Sequence, residues 1–254
     1  MVFFAAVIFM ATMTLDVLPT RLGGAAENMA TDFLLLQRYP QAAAARFRHY
    51  GWRGPAWTFG YSQKIAFVRT QLPAKANPNE VCRRATGGGV VDHREDWTYA
   101  LVIPRGFALE ELRATESYRR VHECLATALR AQGVPAVVKI QCEPPAEGEL
   151  TCGPAGSCFQ RAELYDVVHG DTGEKIAGAA QKRNKRGLLF QGSLWRPAVG
   201  ALTMDWDLFG TTFVAALATE LGATADEKPW PEFNEEELSG LIEQYRSSEW
   251  VEYR

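Results

Sequence analysis

The stretch Leu164–Trp195, LYDVVHGDTGEKIAGAAQKRNKRGLLFQGSLW, decides the fold class. Three mainly apolar runs within it are bounded by turn residues, and they predict strands at Leu164–Val168, Lys175–Ala180 and Leu188–Trp195. The segment His169–Gly173, HGDTG, has the composition of a hairpin turn and joins the first two runs. Strands joined by a hairpin are antiparallel neighbours, so this region predicts an antiparallel sheet.

More strands are expected on the N-terminal side of this stretch. Aromatic and β-branched residues predict strands at Pro55–Ser62 and Trp97–Pro104, and shorter strands are expected at Thr14–Thr20 and Ala136–Ile140. The order of elements is one of adjacent strands with helices between groups of strands. We therefore predict an α+β fold with a central mixed, mainly antiparallel sheet flanked by helices.

Three amphipathic helices are predicted. Asn28 is a candidate N-cap, because apolar residues follow it at helical spacing (Met29, Phe33 and Leu36). A second helix runs from Ser117 and ends at Gly133. A third begins at Asn234, with Glu237 in the position of a capping box.

The domain organisation follows from composition along the chain. Residues 13–221 are expected to form one catalytic domain, because the charged, proline-containing region Gly222–Pro231 is the one credible boundary. Residues 222–254 are then a helical appendage. The apolar segment Val2–Met10 lacks a basic region and is too short to span a bilayer, so residues 1–12 are expected to reflect a misassigned start or to be disordered. A weak signal sequence is the alternative.

Composition also limits the partners and the compartment. The 254 residues carry a net charge of −3, so no basic field would draw the protein onto nucleic acid. The five cysteines are an odd number without a CxxC pair, which favours neither a disulfide framework nor a zinc site (Cys82, Cys124, Cys142, Cys152 and Cys158). A cytoplasmic protein without a bound metal or a membrane anchor is expected.

The glycine-rich segment Arg83–His93, RRATGGGVVDH, is the first candidate binding site. The consecutive glycines Gly87, Gly88 and Gly89 allow a backbone with positive φ whose N–H groups approach a ligand closely. The preceding arginine pair could hold a carboxylate or a phosphate by forked hydrogen bonds. A tight connection between two strands is the alternative interpretation.

Lys175 is a candidate catalytic residue on a predicted strand. It alternates with Ile176, and the small residues at 177–180 leave space beside it, so its ammonium could polarise an acyl carbonyl. The alternative is a surface lysine beside a hairpin. The basic run Lys182–Arg186 could receive an acidic carrier domain or a phosphopantetheine arm, or it could be a solvated hairpin tip.

Cys158 is the candidate nucleophile. A nearby cation lowers the pKa of a thiol, and Lys175 lies one hairpin away in the chain. The alternative is a cysteine that only packs. Of the histidines considered as a base, His122 and His169 are expected to be structural or solvated, and His93 is kept because it follows the glycine loop.

Several ordered motifs resemble the lipoate-protein ligase A and octanoyltransferase group of the biotinyl/lipoyl protein ligase superfamily. They are the six segments GAAENMATD from Gly24, WTFGYSQ from Trp57, the glycine segment Arg83–His93, WTYA from Trp97, KIAGAAQKR from Lys175, and QGSL from Gln191. The resemblance implies a catalytic fold like that of biotin protein ligases and class II aminoacyl-tRNA synthetases. It also implies that the lysine matching Lys175 contacts the acyl carbonyl. The implied substrate-binding residues are Arg83, Arg84, Thr86, Gly87, Gly88, Gly89, His93, Gly178 and Ala179.

Two chemistries compete within this group. A cysteine octanoyltransferase would take an octanoyl group from acyl carrier protein onto Cys158 without a cofactor. It would then pass the group to a lysine of a lipoyl domain, such as glycine-cleavage H protein or the E2 subunit of a 2-oxoacid dehydrogenase. A lipoate ligase would instead use ATP and Mg²⁺ with free lipoate. A non-catalytic module that only binds lipoyl domains is a remote third alternative. We favour the transferase, acting as a monomer, although Gly89 occupies a position that is commonly basic in cysteine octanoyltransferases.

Overall fold

The computed structural model describes residues 13–38, 43–141, 162–200 and 203–253. The strands in chain order are β1 (Thr14–Gly23), β2 (Ala44–Trp52), β3 (Trp57–Phe59), β4 (Val81–Arg83), β5 (Val90–Asp92), β6 (Asp96–Pro104), β7 (Ala136–Val138), β8 (Val167–His169), β9 (Lys175–Asn184), β10 (Gly187–Trp195) and β11 (Thr224–Glu227). The helices are α1 (Ala25–Arg38), α2 (Ile65–Gln71), α3 (Ala108–Glu111), α4 (Ala114–Arg130), α5 (Trp206–Leu221), α6 (Glu235–Arg246) and α7 (Ser248–Val251).

Eight of these strands form one mixed sheet in the order β11, β1, β2, β6, β10, β9, β8, β7. β1 pairs in parallel with β2 and β11, and every other described pair in this sheet is antiparallel. The expected α+β fold with a mainly antiparallel central sheet is confirmed. A second sheet of three strands, in the order β4, β3, β5, carries the glycine segment between β4 and β5.

Both faces of the sheet are buried, and the side chains of each strand alternate between the two faces. On β6, Trp97, Tyr99 and Leu101 point towards α4 and α5, where Phe213 packs edge-on against Tyr99. Ala100 and Val102 on the same strand point to the other face, against α1 and α6. This double-sided burial explains why β6 is apolar along its whole length.

The hairpin region matches its sequence pattern closely. β9 begins at Lys175 and β10 ends at Trp195, as expected, and Gly173 has a φ of 73° in the turn that precedes β9. β8 lies one to three residues further along than predicted, at Val167–His169. β3 is limited to Trp57–Phe59, because the following Gly60 lies against the glycine segment and leaves the strand.

The predicted N-cap Asn28 was wrong. α1 begins three residues earlier, at Ala25, whose N–H donates to the Glu80 carboxylate at 3.2 Å. Asn28 is buried within the helix, and its side-chain amide donates to the Gly51 carbonyl oxygen at 3.1 Å. A carboxylate that is distant in sequence therefore supplies the acceptor that a local cap would have provided.

The C-terminal segment is only partly as predicted. α6 is capped by Asn234, whose side chain accepts a hydrogen bond from Glu237 N–H at 3.0 Å, and α6 packs on α1. The expectation of a purely helical appendage omitted β11, which pairs with β1 and so joins residues 224–227 to the main sheet. α5, capped by Asp205, was also not predicted. None of the helices in the described ranges is both long and apolar enough to cross a bilayer.

Candidate active site

A cavity lies where the glycine segment faces β9 and β10. The empty space between its walls is about 480 Å³, counting the part open to solvent. Six of the residues predicted from sequence line it (Arg84, Gly88, His93, Lys175, Gly178 and Ala179). The other lining residues are Met29, Tyr50, Thr58, Val91, Thr98, Ala180, Gln191, Gly192 and Ser193.

The glycine segment is held from within by Arg84. Its guanidinium donates to the carbonyl oxygens of Gly87 at 2.8 Å and Gly89 at 3.0 Å, and to the Thr58 hydroxyl at 2.7 Å. Gly88 has a φ of 88°, which favours glycine. A Cβ on Gly60 would lie 2.0 Å from the Gly88 carbonyl oxygen, so two backbone segments touch here. These contacts fix the backbone of the glycine segment, which forms one wall of the cavity.

His93 belongs to a buried hydrogen-bond chain. Its Nδ1 lies 2.6 Å from Asp96 Oδ2, and its Nε2 lies 2.7 Å from the Thr58 hydroxyl. Asp96 Oδ2 also accepts hydrogen bonds from Thr98, at 2.8 Å, and from Ser193. Both ring nitrogens of His93 are engaged and its ring stacks on Trp52, so its contribution at the cavity is to orient Thr58.

Lys175 is buried on the cavity wall, at the start of β9. Its Nζ lies 2.7 Å from Asp166 Oδ2, and 8% of its side chain is exposed. A Cβ on Gly178 would lie 2.8 Å from Nζ, so a glycine at this position makes room for the ammonium. The alternative of an exposed surface lysine is excluded by this burial.

Asp166 was not singled out from sequence. Its side chain is 1% exposed and accepts hydrogen bonds from the Tyr118 hydroxyl and, at 2.7 Å, from Glu163 N–H. Burial and the neighbouring Asp166 carboxylate raise the pKa of Tyr118 well above its usual value, so the phenol keeps its proton and donates. Only the position of Asp166 one residue before β8, facing β9, could have indicated its role.

Four predicted binding residues do not line the cavity, namely Arg83, Thr86, Gly87 and Gly89. The carbonyl oxygens of Gly87 and Gly89 are held by Arg84. The Arg83 guanidinium points away and donates to the carbonyl oxygens of Tyr61 at 2.6 Å, Gln63 at 2.8 Å, Trp250 at 3.0 Å and Val251 at 2.9 Å. It joins the glycine segment to the C-terminal helix instead of reaching a ligand.

Thr86 likewise turns inward. Its hydroxyl donates to Gln191 Oε1 at 2.7 Å, and the Gln191 amide donates to Asp32 at 2.7 Å. Asp32 is fully buried and pairs with Arg48 at 2.6 Å. Burial raises the pKa of Asp32 despite this arginine, which shows that ionising this carboxyl in the interior costs free energy. The network fixes Gln191 on the cavity wall.

Cys158 lies outside the described residues, as do Cys142 and Cys152. The described cysteines, Cys82 and Cys124, are both buried and free. Burial raises the pKa of Cys124 to about 12 and that of Cys82 further still, so neither is a nucleophile at neutral pH.

His122 and the basic run Lys182–Arg186 are the other residues considered from the sequence. His122 is buried in α4, and burial lowers its pKa, so it is neutral at pH 7 and its Nδ1–H donates to the Tyr165 carbonyl oxygen at 2.6 Å. In the basic run, Arg183 pairs with Glu110 at 2.9 Å, and Lys185 and Arg186 are exposed. A partly buried Lys182 lies over the Tyr61 ring.

The family model of the lipoyl protein ligase A/B catalytic domain matches residues 24–197. The chain belongs to this family. The matched span includes the glycine segment, Lys175, Asp166 and the whole lining of the cavity. The motif-based resemblance to the lipoate ligase and octanoyltransferase group is therefore confirmed.

Curated relatives in this family are octanoyltransferases named LipM. The protein of Geobacillus kaustophilus is 29% identical over 66% of this chain and 60% of its own length. That of Kyrpidia tusciae is 32% identical over 71% of this chain and 65% of its own length. The chain thus spans less than two thirds of these two relatives, whereas the match to the Macrococcus caseolyticus protein, at 26% identity, covers 89% and 94%.

Solved structures of family members share the fold. A lipoate-protein ligase A bound with ATP has a TM-score of 0.69 at 18% identity, over 95% of this chain and 98% of its own. A bi-partite lipoate protein ligase from Thermoplasma acidophilum, studied with its E2 lipoyl domain, has a TM-score of 0.70 at 17% identity over the same shares. At this identity the likeness establishes the architecture alone.

Proposed function

We propose that this chain is an octanoyltransferase that acts through an acyl-enzyme thioester on Cys158. The observation that supports this most directly is the buried ammonium of Lys175, held at the wall of a cavity that faces the glycine segment. An acyl carbonyl in that cavity would meet a cation and a fixed backbone. The similarity to LipM octanoyltransferases supports the same chemistry.

The position of Cys158 in the sequence supports its pairing with this lysine. Glu163, five residues after Cys158, donates its backbone N–H to the Asp166 carboxylate that pairs with Lys175. A fully extended stretch of five residues spans at most about 18 Å. An ammonium near the sulfur would favour the thiolate. Cys158 and Lys175 are therefore the proposed catalytic residues.

The reaction would proceed in two transfers. The Cys158 thiolate attacks the carbonyl carbon of an octanoyl thioester on acyl carrier protein, and a C–S bond forms as the carbonyl becomes an oxyanion. Donors from Lys175 and the glycine segment would stabilise this oxyanion. The oxyanion collapses, the bond to the phosphopantetheine sulfur breaks, and that sulfur leaves as a thiolate and takes up a proton.

The second transfer returns the enzyme to its starting state. The neutral ε-amine of a lysine on a lipoyl domain attacks the thioester of Cys158 and forms an amide. The Cys158 sulfur leaves as a thiolate, and the amine loses a proton to solvent or to a base. Glycine-cleavage H protein and E2 lipoyl domains are the proposed recipients, the protein is proposed to act as a monomer, and a cytoplasmic location is proposed with them.

The cavity walls define the proposed substrate-binding residues. Arg84, Gly88, His93, Gly178 and Ala179 are proposed to shape the acyl site, with Gln191 added from its position on the wall. Gly87 and Gly89 do not line the cavity, and they are proposed to contribute through the backbone that Arg84 holds. Arg83 and Thr86 are proposed to act indirectly, because their polar groups bind protein atoms away from the cavity.

ATP-dependent lipoate ligation is the second candidate function. The feature that favours it is the unbroken triple glycine at 87–89, together with the fold shared with an ATP-bound ligase. Within the described cavity Arg84 binds the Gly87 and Gly89 carbonyls and the charge of Lys175 is paired with Asp166, so little cationic charge is left to balance a triphosphate. This geometry fits a neutral thioester better.

A transfer assay separates these functions. Purified protein is incubated with octanoyl-acyl carrier protein and an apo lipoyl domain, without nucleotide, and the domain is weighed by mass spectrometry. We expect octanoylation that is lost in Cys158→Ala and retained in Cys152→Ala, the matched control. Modification that requires ATP and free lipoate and survives Cys158→Ala would establish the ligase, and binding without modification would establish a non-catalytic module.

A further inference from the structure

We propose that Asp166 is a positioning residue that fixes the ammonium of Lys175 at the cavity wall, an inference that rests on the proposed transferase function. Asp166 does not line the cavity, whereas Lys175 does. The two side chains meet at 2.7 Å beneath the wall. Asp166 would therefore act on the substrate only through Lys175.

The Asp166 carboxylate is itself held by two further donors. Tyr118 donates its hydroxyl proton to Oδ1, and Glu163 donates its backbone N–H to Oδ2 at 2.7 Å. A buried carboxylate is stable only when it is paired and hydrogen-bonded, and these contacts satisfy that requirement. Because both oxygens are fixed, the direction in which Lys175 points is fixed as well.

Tyr118 is in turn anchored to β9. Tyr118 accepts a hydrogen bond from the backbone N–H of Ala179, a residue that lines the cavity, at 3.0 Å. Asp166, Tyr118 and Ala179 thus connect in series. The anchored phenol holds the carboxylate that positions Lys175.

The backbone just before Asp166 is under strain. Tyr165 has a φ of 68°, which is uncommon for a residue with a bulky side chain. His122 Nδ1–H donates to the Tyr165 carbonyl oxygen at 2.6 Å, and Tyr165 N–H donates to the Lys139 carbonyl oxygen at 2.7 Å. Strained conformations persist only where the surroundings hold them, and here they set the angle at which Asp166 meets Lys175.

This arrangement gives Lys175 a defined role in transfer. A lysine has three donors, and one is used by Asp166, which leaves the others for the cavity side. Donors that are oriented before the reaction stabilise an oxyanion without reorganisation when its charge develops. We therefore expect Asp166 to affect the rate of acylation more than the affinity for the acyl donor.

A double-mutant cycle tests the proposal. Wild type, Asp166→Asn, Lys175→Gln and the double variant are compared for the rate of octanoyl-enzyme formation from octanoyl-acyl carrier protein, with folding checked by circular dichroism. We expect Asp166→Asn to lower the maximal rate about tenfold or more, with a smaller change in KM. Since Asp166 acts through Lys175, the double variant should be no slower than Lys175→Gln. A wild-type rate for Asp166→Asn, or losses that multiply in the double variant, would overturn the proposal.

Tyr118→Phe provides a second variant if Asp166→Asn does not fold. It removes one hydroxyl and keeps the ring, so the fold should be retained. We expect about a threefold or larger loss of acylation rate in the wild-type background and no further loss in Lys175→Gln. An unchanged rate in the wild-type background would contradict the role of this carboxylate.

An absence of octanoyl-enzyme in the wild type would instead defeat the proposed function, and a separate measurement then decides on Asp166. The rate of acetylation of Lys175 by acetic anhydride is followed by peptide mass spectrometry, with Lys182 as the internal reference. We expect Asp166→Asn to speed labelling of Lys175 about tenfold and to leave Lys182 unchanged. Equal labelling of Lys175 in both proteins would refute the positioning role.

Discussion

At the scale of single residues, the candidate site depends on space made by one glycine. Lys175 turns its ammonium back over its own strand, across the Cα of Gly178, to reach Asp166. A Cβ at position 178 would lie 2.8 Å from Nζ and 3.1 Å from Asp166 Oδ1. The nearest atoms belong to the flexible side chain of Lys175. A side chain at position 178 would therefore displace the lysine and leave the fold unchanged.

We therefore expect Gly178→Ala to lower kcat for octanoyl transfer about 10- to 100-fold, because a small displacement of a catalytic group is costly. The melting temperature should change little. The matched control is Gly240→Ala in α6, where a Cβ would meet nothing within 4 Å and should stabilise the helix by about 0.5–1 kcal/mol. Wild-type kcat in Gly178→Ala would contradict the placement of Lys175.

Cysteine reactivity is a second prediction at this scale. Burial raises the pKa of Cys124 to about 12 and of Cys82 further, so at pH 8 both remain thiols, and alkylation requires the thiolate. We expect iodoacetamide to modify neither in the native protein and to modify both after unfolding. Peptide mass spectrometry measures this, and native labelling of Cys124 at the rate of free cysteine would show the assigned burial to be wrong.

Some residues of the site could be predicted and others could not. Lys175, Gly178 and the glycine segment carry local signals, namely strand alternation and runs of small residues. Asp166 gives no local signal, because its role comes from a pairing across the hairpin that joins β8 to β9. Arg83 and Arg84 are adjacent and chemically identical, yet strand alternation sends one to the C-terminal helix and the other to the cavity.

At the scale of elements, the glycine segment is a wall held by contact between two backbones. Gly60, just after β3, lies against the segment so closely that a Cβ would sit 2.0 Å from the Gly88 carbonyl oxygen and 2.6 Å from the Gly87 carbon. Neither is a flexible side chain, so the backbone itself would have to shift. The conformation of the segment thus depends on glycine at 60.

We expect Gly60→Ala to lower the free energy of unfolding by about 2 kcal/mol or more, because the clash is with backbone. Gly87→Ala is the control for stability, since a Cβ there would meet nothing within 4 Å. Urea denaturation followed by fluorescence gives both values. Equal stability of the two variants would mean that Gly60 does not press on the segment.

The elements whose apolar residues recur at a regular spacing could be predicted from the sequence. α4 has an apolar stripe and β6, β9 and β10 have strand signals between turn residues, so their types were confirmed. α5 is apolar over much of its surface and has no clean stripe. β11 has the polar sequence TADE and is an exposed edge strand, so its pairing with β1 has no hydrophobic signature.

At the scale of the whole molecule, Arg83 connects the site to the C-terminus. Its fully buried side chain donates to four backbone carbonyls, two in the loop after β3 and two in α7. The Trp250 indole N–H in turn donates to the Arg83 carbonyl oxygen at 2.9 Å. The C-terminal helices therefore support the strand that leads into the glycine segment.

We expect Arg83→Met to lower the free energy of unfolding by about 3 kcal/mol or more, because it leaves buried carbonyls without donors. The control is Arg94→Met, which removes a half-exposed pair with Asp92 and should change stability by less than about 1 kcal/mol. Thermal denaturation compares the two. If Arg83→Met keeps wild-type stability and only weakens acyl-donor binding, Arg83 is a ligand contact and not a connector.

The most direct test of the whole account is to isolate the acyl-enzyme. The protein is mixed with octanoyl-acyl carrier protein in the absence of nucleotide and of any recipient, and intact and peptide masses are recorded. We predict one added octanoyl group on Cys158, released by neutral hydroxylamine and formed much more slowly in Lys175→Gln. An unmodified Cys158, or an octanoyl group found elsewhere, would contradict the claim that Cys158 and Lys175 together carry out the transfer.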